Sequence, residues 1–110
     1  MTRYLLLGKY TEDGLAKIRE DGFRTRPERN KKVFEALGGD LLCMYFMASG
    51  GDWDFCGIVE CSSDDLASIS LKAVGTGTFA RTESHEIRTG EEMDAIAGRS
   101  TPWAAPGQSS

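Results

Sequence analysis

"GGDWDFCGIVEC", residues 50–61, decides the fold. Gly50-Gly51 supplies the freedom for a tight turn, and Asp52, Trp53 and Asp54 lead from it into the apolar run that starts at Phe55. Directly upstream, "DLLCMYFMAS" (40–49) is a second apolar run, so the two read as strands of one β-hairpin. With residues 49–52 as its loop, Tyr45 stands opposite Cys56 and Met47 opposite Asp54 on one face of the sheet. The same register turns Trp53, Phe55 and Val59 to the other face, where helices are expected to pack.

Outward from the hairpin, the N-terminal "YLLLGKY" (4–10) reads as a buried strand. Thr11 offers an N-cap, with Glu12 and Asp13 in the first turn of a helix that carries Leu15, Ala16 and Ile18 and stops at Asp21-Gly22. Pro27 suits the first turn of a second helical piece, with Val33, Phe34 and Leu37 at helical spacing and Gly38-Gly39 closing it. After the hairpin, "SSDDLASISLKAV" (62–74) opens on a serine cap and places Leu66, Ile69 and Val74 along a helix. "TFARTESHEIRT" (78–89) alternates as a fourth strand, and "GEEMDAIAG" (90–98) is a short terminal helix. The division expected is one domain over 1–97 and a flexible Pro/Gly/Ser-rich tail over 98–110, loose unless Trp103 docks.

The order strand, helix, strand, strand, helix, strand is the α+β, ferredoxin-like pattern, with helices on one face of an antiparallel sheet. The second strand has no clean polar side, so the sheet cannot leave its other face to water. A second copy of the same chain is the economical cover, and a homodimer is expected.

At 110 residues the chain holds one core, and its net charge of −4 gives nucleic acid nothing to attract it. Charge is uneven, however: residues 17–32 hold seven basic side chains against three acids. That stretch reads as a solvated helix face or as a site for an anionic ligand or partner. No apolar run reaches the roughly 20 residues of a membrane span, and no signal pattern opens the chain. Cys43, Cys56 and Cys61, without CxxC spacing, suit reduced thiols of a cytoplasmic protein, not a disulfide framework or zinc site.

"YLLLGKYTEDGLAKI" (4–18), "PERNKKVFEALGGDLLCMYFMASGGDWDF" (27–55) and "FARTESHEIRTGEEM" (79–93) together resemble the GYD domain family. That family takes its name from a Gly-Tyr-Asp motif at the head of the third strand; here Trp53 stands in the tyrosine's place, Asp54 matches, and Asp52 intervenes. The resemblance covers roughly 3–97 and implies a dimeric α/β barrel, two ferredoxin-like sheets facing each other around a cavity. Relatives on that scaffold include cofactor-independent monooxygenases, cyclases, isomerases, haem enzymes and ligand sensors, so the fold does not name a reaction. His85 stands where a leucine is usual, and "EDGFRTR" (20–26) is longer than the family pattern, as a flap or a loop.

Within such a barrel Asp54 is a candidate acid–base group, set against a turn aspartate that caps backbone N–H groups or pairs with Arg81. His85 shares a strand face with Arg81 and Glu83, a row that could move a proton or could be an edge strand's guard of charges. Tyr45, Met47, Cys56 and Arg81 are the expected ligand-binding residues, with Cys56 a structural thiol more than a nucleophile. One histidine and scattered acids make no metal site, and without GxGxxG or a P-loop no cofactor is expected. The expected function is a homodimer binding a small apolar or aromatic molecule in its barrel. One alternative is a cofactor-independent enzyme of cyclase, isomerase or monooxygenase type, with Asp54 or His85 as base and Tyr45 on an enolate. The other is an effector-sensing or assembly module.

Overall fold

A computed structural model of the chain describes residues 1–107. In chain order its elements are β1 (Thr2–Tyr10), α1 (Glu12–Asp21), α2 (Thr25–Ala36), β2 (Asp40–Phe46), β3 (Phe55–Cys61), α3 (Ser63–Gly75), β4 (Phe79–Glu86) and α4 (Gly90–Ala97). The sheet runs β2-β3-β1-β4 and every pairing is antiparallel, the ferredoxin-like arrangement.

Local chemistry sets these boundaries. Thr11 and Ser62 cap α1 and α3 through their hydroxyls, as the sequence predicts. α2 begins at Thr25, two residues before the expected Pro27, which still lies in the first turn, where a missing N–H costs nothing. The long segment between α1 and α2 is therefore absorbed into helix ends. Only residues 22–24 remain as a connection, with Gly22 at φ 92° and the Phe23 ring edge-on to Phe46 at 5.1 Å.

The hairpin register is the one its loop implies. Tyr45 pairs with Cys56, and the Met47 N–H donates to the Asp54 carbonyl at 2.8 Å. Gly50 (φ 79°) and Gly51 (φ 116°) make the turn in backbone conformations other residues avoid. β2 is apolar on both sides because a bulge at Leu42 slips its register against β3. Leu41 is thereby buried and Met44 packs beside it, while Tyr45 stays 68% exposed.

α1, α2 and α3 all pack on one face. Phe34, Leu41, Val59, Cys61 and Leu66 form one buried cluster, and Tyr10, Ile18 and Phe55 a second. β1 carries Gly8 where the Phe55 ring crosses it; any side chain there would run into that ring. The opposite face is a second apolar surface: Leu5 pairs with Ile58, Leu7 with Cys56 and Cys43 with Ile58. Neither core cluster includes any of these residues.

The radius of gyration is 17.7 Å, against about 13 Å for a compact chain of this length. The excess lies at the C-terminal end: α4 and residues 98–107 contain no buried residue. Trp103 is 82% exposed and does not dock. The last three residues of the expected tail, 108–110, lie outside the described residues.

Candidate functional site

On the helical face the core is incomplete. α2 reads TRPERNKKVFEA and buries only Phe34; α3 buries only Leu66 and leaves Leu71 76% exposed. Beneath them, Gly57 lowers the floor of β3, and β4 turns the short side chains of Thr82 and Ser84 inward, opposite Gly8 and Leu6. Small side chains on β3, α3 and β4 thus leave a cavity of about 430 Å³ between α2, α3 and the sheet. Its apolar lining includes Phe34, Met44, Phe55, Leu66, Ile69 and Phe79. This volume lies at the small end of the roughly 300–1,000 Å³ of ligand pockets.

Polar groups line the cavity from three elements, Arg26 and Asn30 on α2, Ser70 and Lys72 on α3, and Thr82 and Ser84 on β4. Arg26, in the first turn of α2, donates from Nη2 to Asn30 Oδ1 at 3.4 Å, and Asn30 Nδ2 approaches Met44 Sδ at 3.4 Å. The Arg26 Nε is buried and has no hydrogen-bond partner among the described residues. Lys72, from the last turn of α3, lines the cavity as well. Under this end lies Tyr10, 5% exposed, stacked on Phe79 at 4.9 Å and tilted against Phe55 at 5.5 Å. Its hydroxyl is buried without a partner. Burial pushes Tyr10 up to about pKa 12, with the Arg26 charge pulling the other way and Asp54 adding to the rise.

None of the residues expected from sequence to form the site lines this cavity. Asp54 is engaged at the end of the sheet: Oδ2 accepts the Tyr10 N–H at 2.9 Å and Oδ1 accepts from Lys9 Nζ at 3.3 Å. It is a turn aspartate fastening β3 to β1, and its cation is Lys9, not Arg81. Arg81 instead sits 4.7 Å over the Trp53 ring and donates to the Asp52 carbonyl at 2.9 Å. Trp53 is accordingly held beneath Arg81 and joins neither core cluster, correcting the expectation that it packs on the helices.

Arg81, Glu83 and His85 do share one face, opposite Lys9, Leu7 and Leu5 of β1. His85 Nε2 lies 3.2 Å from Glu83 Oε2, both more than 40% exposed. Tyr45 and Cys56 are cross-strand neighbours on that same sheet face, and Met47, 39% exposed, follows the end of β2. All three cysteines are free, and burial raises the pKa of the Cys61 thiol. Among the described residues no three His, Cys, Asp or Glu side chains gather to hold a metal ion, and no helix is long and apolar enough to cross a membrane.

Sequence reasoning missed Arg26, Asn30 and Lys72. The available signal was the basic stretch 17–32, to which Arg26 belongs. Nothing in the spacing distinguishes Arg26 from Arg29, paired with Asp21, or Lys31, paired with Asp40 and Glu35.

A search of curated proteins finds none that matches the chain. The GYD domain matches residues 4–97, nearly all of the folded part, and the chain belongs to the GYD domain family.

Proposed function

We propose that this protein is a homodimer in which each chain binds a small, largely apolar molecule between its own helices and sheet. The observation that carries the reading is the apolar cleft of about 430 Å³ between α2, α3 and the sheet, within the size range of small-ligand pockets. On this reading the site lies on the helical side of the sheet, and the opposite side is the dimer interface. That opposite side has an apolar centre of Leu5, Leu7 and Ile58, with oppositely charged pairs at its ends. Arg3 lies 3.6 Å from Glu60 at one end and Lys9 3.3 Å from Asp54 at the other. Such a surface suits a copy of itself across a two-fold axis. Tyr45, Met47, Cys56 and Arg81 of the two chains then meet at or beside that interface.

Methyl NMR during titration with indole, a neutral aromatic probe, tests the assignment. Shifts concentrated at Leu66, Ile69 and Val33 are expected. Shifts confined to Leu5, Leu7 and Ile58 would move the site to the open face, and no shifts at all would remove it.

A further inference from the structure

Building on the cavity reading, we infer that the molecule bound is a small organic acid, its apolar body between α2 and α3 and its carboxylate on Arg26, with Lys72 adding a second positive charge.

The charges around the cavity carry this inference. Three ionisable residues line it: Arg26, Lys72 and Glu83. Glu83 belongs to the opposite face of β4, where its carboxylate meets His85. Two cations remain, and neither forms an ion pair among the described residues. Lys72 is exposed, but Arg26 is half-buried against the apolar wall, where a ligand that brings a negative charge offsets the cost of a guanidinium without a counter-ion.

Arg26 is also incompletely bonded. Its Nε is buried and unpartnered, and its bond to Asn30 is long at 3.4 Å. A carboxylate entering the cavity meets the two Nη groups of the guanidinium side by side, a bidentate geometry that arginine offers and lysine does not. Asn30 is placed to hold the fork in plane from the other side. The cavity wall beyond is mainly hydrocarbon and aromatic, from Phe34, Leu66, Ile69 and Phe79, with the short hydroxyls of Ser70, Thr82 and Ser84 between them and no third cation for a multiply charged ligand. One anionic head and one apolar body is the chemistry that fits.

The test compares 2-naphthoate with 2-naphthamide, which share shape and differ in charge. Binding is followed by the Ile69 methyl signal in the wild type, Arg26→Met, Arg26→Lys and Lys72→Met. The acid is expected to bind the wild type about tenfold or more tighter than the amide. Arg26→Met should bring the acid down to the amide's affinity, Arg26→Lys should recover part of the loss, and Lys72→Met should cost less than Arg26→Met. The amide's unchanged affinity reports that each variant is folded. Equal affinity of acid and amide for the wild type would overturn the acid assignment while leaving the cavity reading standing. Arg26→Met weakening both probes alike would make Arg26 a packing residue and overturn the assignment too. Binding of neither probe would remove both the assignment and the cavity reading.

Discussion

Asp54 fastens two strands at a position the sequence also offered for acid–base chemistry. Its two oxygens fasten the Tyr10 N–H and the Lys9 ammonium at the open end of the β1–β3 pair. Removing the carboxylate leaves a half-buried backbone donor unpaired, so Asp54→Ala should cost about 1–3 kcal/mol in urea unfolding. Asp54→Asn keeps an acceptor for that N–H and should cost clearly less. Tyr10 is the other residue under tension, with an unpartnered buried hydroxyl and a pKa pushed up to about 12. The folded chain holds this proton more tightly than the unfolded chain, whose tyrosines titrate near 10. Stability from this group is complete below about pH 10 and is lost as pH rises from there toward 12. Tyr10→Phe should flatten that decline in a series of denaturation midpoints taken across the alkaline range. At neutral pH it should leave stability unchanged or slightly higher, because a buried hydroxyl without a partner is removed.

Among the elements, those with local signals were legible and the cavity was not. Thr11 and Ser62 mark helix starts by chemistry confined to four residues, and the hairpin register follows from one loop length. The bulge at Leu42 was hidden, although the doubly apolar β2 is its trace, since slipping one residue is what lets Leu41 and Met44 both face the core. The cavity has no local signature. It arises because Gly57, Ser70, Ala73, Thr82 and Ser84, small residues on three separate elements, converge on one space. That convergence depends on the assembled sheet and the helices on it, and no spacing within any one element encodes it. Filling the space tests its origin. Thr82→Ile, on the inward side of β4, should raise stability by about 0.5–2 kcal/mol and abolish the indole shifts at Ile69. At the other end of the chain, Thr89 and Glu92 close a capping box on α4, and hydrogen bonds from Thr89, with Arg3 nearby, hold the Glu92 carboxyl below its usual range. α4 buries nothing, so Thr89→Ala should weaken it by about 1 kcal/mol. Hydrogen exchange should speed up in residues 90–97 alone, with the midpoint of global unfolding unmoved.

For the whole molecule, the two faces of the sheet divide the work. The helical face holds the incomplete core and its two unpaired cations; the open face holds the apolar patch proposed as the dimer interface. These surfaces are separate, so they should respond separately to mutation. Leu5→Glu, at the centre of the open face and opposite Ile58, should shift the protein from dimer to monomer in sedimentation velocity while indole still moves the Leu66 and Ile69 methyls. Loss of both properties together would mean that the cavity depends on the dimer.

Native mass spectrometry tests the central claim most directly, with the purified protein measured as isolated, after denaturation, and again with added 2-naphthoate. The account predicts a dimer carrying up to two small organic masses that leave on denaturation, or a bare dimer that takes up two naphthoates. A bare species that remains bare with naphthoate in excess would contradict it, and a monomer in every spectrum would contradict the shared interface as well.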